Sequence, residues 1–365
     1  MTDQKLYEIA LTLLPGIGVM NGKKLVAYCG GAEAVFCENK KALMKINGIG
    51  EYLVKCIDSK DVMARAEEEM EFIEKNEIKP LFYLDKDYPK RLQHCDDGPI
   101  MLYYKGNADL NAMKTVGVVG TRNITDYGRY VTEKLIEELS SDNVLIISGL
   151  AYGVDATAHR AALKYDLATV GVLGHGMQTI YPAENRKLAL NMLEKGGILT
   201  EFVNGTKPDK ENFPKRNRIV SGMVDCLVVI ESALKGGAMI TADIANSYDR
   251  EVFAIPGRIG DIYSEGCNQL IKTNKANLLV NVADIRYVMG WDIDTKVVAK
   301  QMRLFRDFSE DEKKVMDVFA QNNVIHLDDI IVGTDLSPSK IASILLSLEF
   351  DGVLTALPGK RYQKL

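Results

Sequence analysis

The sequence predicts a mixed α/β protein built on a parallel sheet, with an all-helical domain before it and a winged helix after it. Between about 114 and 285, short apolar runs alternate with helical segments, which is typical of βαβ units. Residues 1–75 show apolar side chains at helical spacing, interrupted by glycine-containing turns. Three helical segments followed by a hairpin end the chain. We therefore expect domains at 1–78, 79–288 and 308–365, with a linker at 289–307.

Composition and charge exclude several classes of protein. Hydrophobic residues make up 47% of the 365 residues, yet no stretch approaches the roughly 18 unbroken apolar residues of a membrane span. The first residues lack the basic-then-apolar order of a secretion signal, so we expect a cytoplasmic location and no membrane contact. The six cysteines form no CxxC pair and the four histidines show no zinc-ligand spacing. We expect buried free thiols and no metal.

The net charge of −5 argues against a surface coated in basic residues for duplex DNA. It leaves a local basic groove possible, because screening limits the reach of distant charges to about 8–10 Å.

The helical front contains an internal duplication. The turns at 14–18 and 46–50 both read apolar-x-Gly-apolar-Gly, lie 32 residues apart, and precede basic amphipathic segments. We interpret them as two helix-hairpin-helix units in a SAM-like helical domain. Such turns point backbone N–H groups at a DNA phosphate without reading bases, and a purely structural role is an equal alternative.

A connecting stretch rich in Asp, Pro and Tyr is expected at 80–110, before the sheet. Seven apolar runs then read as strands, at 116–119, 144–147, 169–173, 198–199, 226–230, 252–255 and 278–280. Ligands of such a sheet bind at the carboxyl ends of its strands. The polar run at 286–307, which contains Trp291, reads as the linker. The last domain should hold helices near 309–321, 327–332 and 337–350 and a hairpin turning at Pro358-Gly359.

Glycines follow three successive predicted strands at the same edge of the sheet. Gly120-Thr121-Arg122 follows the first, Gly149 and Gly153 follow the second, and Gly174-His175-Gly176 follows the third. Glycine lets a ligand approach the backbone closely, and a helix N-terminus offers free N–H groups to an anion. Arg122 adds a planar guanidinium suited to phosphate. The convergence indicates one shared site.

The sharpest local signal is Phe213-Pro214-Lys215-Arg216-Asn217-Arg218. The stretch 206–218 carries five cations against two anions in a chain that is negative overall. An aromatic ring beside clustered cations suits a single nucleic-acid strand, since bases stack on the ring while phosphates bind the cations. A solvated basic loop is the alternative.

Evidence for catalysis is weak in the sequence. The loop from Glu231 to Thr241 superficially resembles the PGGxGTxxE loop of nucleotide-cleaving hydrolases, but Met239 takes the place of the third glycine. Asp155 and His159 lie one helical turn apart, and we favour a helix cap with a packed histidine over a catalytic pair. We assign no catalytic residue, and His175 has no partner in sequence.

Five strings, in order, resemble the DNA-processing protein A family (DprA, also called Smf). They are GTRNITDYG at 120–128, SGLAYGVDATAH at 148–159, GHGMQTIYPAEN at 174–185, FPKRNRI at 213–219 and TADIANSYDREVFAIPG at 241–257. One departure is Gly236-Gly237-Ala238-Met239, where the family usually has SGSL, which removes serine side-chain donors.

The resemblance implies an extended Rossmann-like domain that binds single-stranded DNA without sequence specificity. It also implies loading of the RecA recombinase, support of natural transformation, and a homodimer formed through that domain. No cofactor is implied. The single-stranded DNA site would comprise Gly120, Thr121, Arg122, Tyr127, Gly149, Gly153, Gly174, Gly176, Asn185, Lys187, Lys210, Phe213, Lys215, Arg216, Asn217, Arg218, Gly236, Gly237 and Thr241.

Two other functions stay open at this point. One is a nucleotide-binding Rossmann enzyme, a hydrolase or a lyase of the lysine-decarboxylase-like type. The other is a sequence-specific regulator that reads duplex DNA with the winged helix.

Overall fold

The computed structural model describes residues 3–57, 60–291, 308–320 and 322–364. The first part is helical, as predicted. Its helices are α1 (Asp3–Leu13), α2 (Val19–Cys29), α3 (Ala32–Cys37), α4 (Lys40–Leu43), α5 (Glu51–Ile57) and α6 (Lys60–Lys75).

The two duplicated turns form equivalent hairpins, α1–α2 and α4–α5, that pack on each other. Gly16 and Gly48 occupy the same place in each turn and adopt left-handed φ angles of +76° and +93°, which favour glycine. A Cβ on Gly16 would lie 3.1 Å from the Leu53 side chain, and one on Gly48 would lie 3.1 Å from that of Asn21. Each turn therefore packs against the helix of the other unit.

A nine-stranded, mostly parallel sheet forms the centre of the described chain. Its strands are β1 (Lys79–Phe82), β2 (Met101–Gly106), β3 (Thr115–Val119), β4 (Leu145–Ser148), β5 (Thr169–Val172), β6 (Gly197–Thr200), β7 (Cys226–Val229), β8 (Glu251–Ala254) and β9 (Asn277–Leu278). Their order is β1-β2-β6-β5-β4-β3-β7-β8-β9. All seven predicted strands are confirmed, and strands β3 to β8 read as apolar runs because helices cover both faces of the sheet.

The expectation of a plain connecting stretch at 80–110 is wrong. The short helix α7 (Lys90–Gln93) lies there, and β1 and β2 pair antiparallel to extend the sheet beyond β6. Phe82, Met101 and Tyr103 of these strands belong to the same apolar core as the helical domain. The added strands therefore join the helical domain to the sheet.

The remaining helices of the sheet domain connect the parallel strands and cover them. They are α8 (Asp126–Leu139), α9 (Val154–Lys164), α10 (Arg186–Met192), α11 (Asn212–Met223), α12 (Gly237–Ser247), α13 (Ile262–Lys272) and α14 (Val282–Met289). Helix α14 occupies the start of the polar run at 286–307. Trp291, half-buried, packs against the apolar core beside β3, and Lys114 lies 5.1 Å from its ring centroid. The expectation that this tryptophan belongs to a linker is therefore wrong, and residues 292–307 of the predicted linker lie outside the described residues.

The last domain is a winged helix. It contains α15 (Glu310–Val318), β10 (Val324–His326), α16 (Leu327–Thr334), α17 (Pro338–Phe350), β11 (Leu354–Leu357) and β12 (Arg361–Lys364). The three helices and the hairpin follow the prediction, and β10 completes a three-stranded sheet by pairing with β12.

The winged helix packs against the amino ends of the parallel strands. Arg361 of β12 lies 2.9 Å from the carboxylate of Asp225, which immediately precedes β7 and is fully buried. Arg91 also binds this carboxylate, through Nε at 2.7 Å and Nη2 at 2.9 Å. Burial raises the pKa of Asp225, but the two guanidinium groups outweigh burial and hold it below its usual range. The domain contact is thus charged and desolvated.

No single helix in the described ranges is both long and apolar enough to cross a membrane. The bent pair of α16 and α17, which meet at 115°, passes that test only when the two helices are taken together.

Candidate functional site

A cleft of about 600 Å³ opens at the carboxyl ends of β3 and β4, opposite to the winged helix. We call it the sheet-end cleft. Eleven of the predicted site residues line it: Gly120, Thr121, Arg122, Gly149, Lys210, Phe213, Arg216, Asn217, Gly236, Gly237 and Thr241. The structure therefore brings together the turns after β3 and β4, the basic segment at the start of α11, and the turn before α12.

Glycine is required where the backbone is crowded at the ends of β3 and β4. A Cβ on Gly120 would lie 2.5 Å from the Val154 side chain and 2.9 Å from the carbonyl oxygen of Glu231. Gly153, which precedes α9, has a φ of +75°, and a Cβ there would meet the carbonyl of Thr121 at 2.2 Å. These glycines let three chain segments meet at one point and leave the cleft floor to the backbone.

The wall of the cleft combines a cation with aromatic rings. The guanidinium carbon of Arg122 lies 5.2 Å from the ring centroid of Phe213, within the range of a cation–π contact. The ring of Tyr181 lies 6.1 Å from that of Phe213. A Cβ on Gly174 would come within 3.0 Å of the Phe213 ring, so this buried glycine supports the ring from behind.

The N-terminus of α12 forms another side of the cleft. Gly236 is the N-cap residue and makes no side-chain cap, and Gly237 is exposed. The uncapped N–H groups of the first helical turn and the helix dipole favour an anion at this place. In this chain Gly236-Gly237-Ala238-Met239 stands where the family usually has SGSL. The backbone N–H groups of the first turn are therefore open to a ligand, because no serine hydroxyl is present to accept from them.

Two further predicted cations are exposed near the start of α11. Lys210 lines the rim of the cleft, whereas Lys215 lies outside its lining. Lys210 and Arg122 together give the opening of the cleft a positive charge. The acidic residues elsewhere on the protein do not cancel this charge, because salt screens charges that lie more than about 8–10 Å away.

The assignment of Arg216 to phosphate needs correction. Arg216 is 5% exposed, and its Nη1 donates to the carbonyl oxygens of Gly149 and Val172. Burial lowers its pKa, while the buried carboxylate of Asp155 raises it. A fully desolvated guanidinium that ties the ends of β4 and β5 together is a structural group of the cleft floor, because it has little surface left to offer a ligand.

Arg218 and Asn185 are also used inside the fold. Arg218 forms an ion pair with Glu201 and donates to the carbonyl of Asp97, and both side chains of that pair are about 15% exposed. Asn185 is buried and donates to the carbonyls of Leu150 and Ala151, at 2.9 and 3.3 Å. The prediction that these two side chains face the strand is therefore wrong.

The remaining predicted residues lie around the cleft rather than in it. Gly176 is buried behind it, and Lys187 is exposed on α10 outside the lining. Tyr127 lines a neighbouring cavity of about 940 Å³ that extends to Tyr263. Gly153 lines a third cavity, of about 530 Å³.

Sequence reasoning missed four residues at this edge of the sheet. Tyr181 and Tyr263 line the cleft, and Arg129 and Arg160 line the cavity next to it. Tyr181 lies in the string at 174–185 and was within reach of the motif. The others come from α13, α8 and α9 and meet the site only through tertiary packing.

The described titratable groups near the cleft do not form a catalytic pair. His159 is fully buried, its Nδ1 lies 2.6 Å from the hydroxyl of Thr169, and burial lowers its pKa to about 3. The ring nitrogens of His175 form hydrogen bonds, among the described residues, only with backbone groups of Gly176 and Tyr181, and burial lowers the pKa of His175 as well. These interactions favour a packing role over proton transfer. For His159 they therefore favour a packed histidine over a member of a catalytic pair.

Glu231 also has a structural explanation. Its carboxylate accepts from the backbone N–H of Thr125 at 3.0 Å and from that residue's hydroxyl, at the N-terminus of α8. A Cβ on Gly128 would lie 2.3 Å from the same carboxylate. The acid that follows β7 is therefore buried as a helix-terminus partner and is not free to act as a base.

The described side chains include one group with the types and spacing of metal ligands. His94, His326 and Asp328 offer ligand atoms within 4.8 Å of one another. They lie where the winged helix meets the sheet domain, at the amino ends of the strands. This group is therefore remote from the sheet-end cleft.

Fold and cleft together define the class: a Rossmann-like α/β protein with a cationic, aromatic cleft at the carboxyl ends of its strands and with added helical and winged-helix domains. The chain belongs to the DNA recombination-mediator protein A family, whose model matches residues 79–290. The model of the DprA winged helix domain matches residues 306–360.

Relatives and solved structures agree with this membership. Protein Smf of Synechocystis is 30% identical over 99% of both chains, and DNA processing protein DprA of Streptococcus pneumoniae is 39% identical over 55% of this chain and 71% of its own. The X-ray structure of the S. pneumoniae protein superposes with a TM-score of 0.64, covering 79% of this chain and 98% of that one. DNA processing protein A of Helicobacter pylori, solved to describe its single-stranded DNA binding mode, covers 59% of this chain and 96% of its own with a TM-score of 0.54, at 30% identity.

Proposed function

We propose that the chain binds single-stranded DNA, without sequence specificity, in the sheet-end cleft. The observation that carries the proposal is the pairing of Arg122 with Phe213 beside the uncapped N-terminus of α12. Phosphates bind the guanidinium and the backbone N–H groups, while a base stacks on the ring. The cleft offers few side-chain donors that are fixed to read a base edge, so binding should be tolerant of sequence.

The experiment is fluorescence anisotropy of a labelled oligo-dT over a range of salt concentrations. A non-specific phosphate contact releases counterions, so the Arg122→Ala variant should bind more weakly to every sequence. Its slope of log affinity against log salt should fall by about 0.7. Lys134→Ala removes an exposed cation of α8 outside the cleft lining and is the matched control. The proposal would be contradicted if the wild-type protein did not bind oligo-dT at low salt, or if the salt slope of Arg122→Ala equalled that of the wild type.

We further propose that the chain passes the bound strand to the RecA recombinase, as a homodimer formed through the Rossmann-like domain, in the cytoplasm and in support of natural transformation. Family membership supports this proposal. Its tests are sedimentation velocity for the dimer and the rate at which RecA assembles on oligo-dT with and without this protein. A monomer at micromolar concentration would contradict the proposed homodimer. An unchanged assembly rate would contradict the proposed transfer of the strand to RecA.

The nucleotide-enzyme alternative is disfavoured by the roles of His159, His175 and Glu231 inside the fold. A turnover assay with nucleoside monophosphates and NAD, run beside the binding assay, tests it directly. Catalysed breakdown of either substrate at the sheet-end cleft would overturn our assignment of a binding role.

A further inference from the structure

The third of these cavities, of about 530 Å³, adjoins the sheet-end cleft, and Arg122 belongs to the walls of both. We call it the arginine pocket. Its lining residues are Arg122, Asn123, Ile124, Arg129, Tyr152, Gly153, Thr157 and Arg160. The pocket is formed by the turn after β3, by α8, and by α9 with the turn before it, so it continues the same edge of the sheet.

Three guanidinium groups line this pocket and no carboxylate does. Arg122, Arg129 and Arg160 are all exposed. The one carboxylate within 4.0 Å of them in the described structure is that of Asp126, which lies 3.8 Å from Arg129 and is itself fully exposed, a pairing that contributes little in water. Among the described residues, the hydrogen bond of the Arg160 guanidinium is to the amide oxygen of Asn185, at 3.5 Å. Three like charges that line one pocket, with only an exposed carboxylate beside one of them, indicate an anionic ligand.

The pocket also offers a ring. Tyr152 is 42% exposed, and its hydroxyl donates to the carboxylate of Glu184, which fixes one end of the side chain. An exposed ring beside arginines is the combination that binds an unpaired strand, because bases stack on it whatever their sequence.

We propose that the arginine pocket binds the DNA strand where it leaves the sheet-end cleft. Arg129 and Arg160 bind the phosphates that follow the one at Arg122, and a base stacks on Tyr152. This inference rests on the proposed function, since it takes the same strand as its ligand. It adds that the binding site is longer than the cleft, so short oligonucleotides fill the cleft alone and longer ones fill both.

The experiment compares oligo-dT of about four nucleotides with oligo-dT of about twelve, lengths that span the usual site sizes of single-strand binders. The test variant is Arg129→Ala/Arg160→Ala. The matched control is Lys134→Ala/Lys164→Ala, which removes the same charge from the same two helices at positions outside the pocket. Thermal unfolding checks that both variants remain folded.

We expect the test variant to bind the longer oligonucleotide about tenfold more weakly, the effect of losing charge-assisted hydrogen bonds. Its salt slope on that oligonucleotide should fall by about 1.4, because two single-strand phosphate contacts are lost. Binding of the short oligonucleotide should not change. Tyr152→Ala should weaken the longer complex without changing its salt slope.

The outcomes separate this inference from the proposed function. If the wild-type protein binds neither oligonucleotide, the proposed function fails and this inference with it. If the wild-type protein binds both, three results would overturn the arginine pocket alone. These are an unchanged affinity of the test variant, an equal loss on the short oligonucleotide, or an equal loss in the control variant.

Discussion

Replacing Arg216 with alanine should unfold the sheet domain more readily rather than remove a phosphate contact. The side chain is buried, and it donates to the carbonyl oxygens of Gly149 and Val172. It is also the buried counter-charge that opposes the effect of burial on the pKa of Asp155. Alanine would leave a buried carboxylate without its cation and would remove the hydrogen bonds that Arg216 donates to the two carbonyls.

Leaving a buried charge without its partner costs about 3–5 kcal/mol, a large part of a typical total stability of about 5–15 kcal/mol. With a urea m-value of about 3 kcal/mol/M, the midpoint of unfolding should fall by roughly 1–1.7 M. Arg122 is exposed, so Arg122→Ala should keep its midpoint while losing affinity for oligo-dT. The two arginines should therefore separate stability from binding.

A pH series adds an internal check on the Arg216→Ala variant. Removing the Arg216 guanidinium raises the folded-state pKa of Asp155 further. When a carboxyl pKa is higher in the folded than in the unfolded chain, the folded chain binds more protons, so its stability falls as pH rises. The deficit of the variant should therefore shrink between pH 7 and pH 5, and Asp155→Asn should rescue part of it. An unchanged urea midpoint together with weaker oligo-dT binding would refute our structural assignment of Arg216.

Three further predictions concern the aromatic ring, a buried histidine and the domain contact. Phe213→Ala should weaken oligo-dT binding by about 1–3 kcal/mol in anisotropy, with Phe213→Tyr close to wild type, and equal affinities would exclude base stacking on this ring. Because burial lowers the pKa of His159 to about 3, the unfolded chain takes up a proton below about pH 6.5 that the folded chain does not. The free energy of unfolding should therefore be constant above that pH and fall as pH drops towards 3. Measured by urea unfolding, the His159→Asn variant should show a weaker dependence on pH. The same pH dependence in the variant and the wild type would refute this prediction. Arg361→Ala removes one of two cations at Asp225, so hydrogen exchange should speed up at the start of β3 and in the winged helix, and unchanged exchange in both would contradict the docking described.

The strands of the central sheet were largely predictable, and the two exceptions in that sheet have physical reasons. Strands β3 to β8 are buried on both faces and read as apolar runs. Strand β1 is an edge strand of four residues that carries Pro80, which an edge tolerates and which reads as a strand breaker in sequence. β2 is apolar, but it lies in a stretch rich in turn-forming residues, and its antiparallel pairing with β6 joins segments far apart in the chain.

The site was predictable in its backbone and less so in its side chains. Glycine turns mark strand ends whatever surrounds them, so their convergence followed from the fold. Successive residues of a helix, by contrast, point about 100° apart. In α11 this turns Lys215 to solvent and Arg216 into the sheet, a difference that the run Lys-Arg-Asn-Arg does not reveal. Arg129 and Arg160 meet only because α8 packs on α9.

The charged groups at the two ends of the sheet differ in exposure and in pairing, and this difference indicates separate roles for the two ends. The carboxyl ends present exposed guanidinium groups with few carboxylate partners, whereas the amino ends bury ion pairs between the sheet domain and the winged helix. Residues 308–365 hold nine acidic and six basic side chains, and the exposed side of α17 shows Leu346 and Phe350. Duplex readers gain most of their affinity from phosphate contacts, so an acidic winged helix is poorly suited to that role. The alternative of a sequence-specific regulator is therefore disfavoured. Among the residues that the structure describes, we expect those at the carboxyl edge to cause the salt dependence of DNA binding.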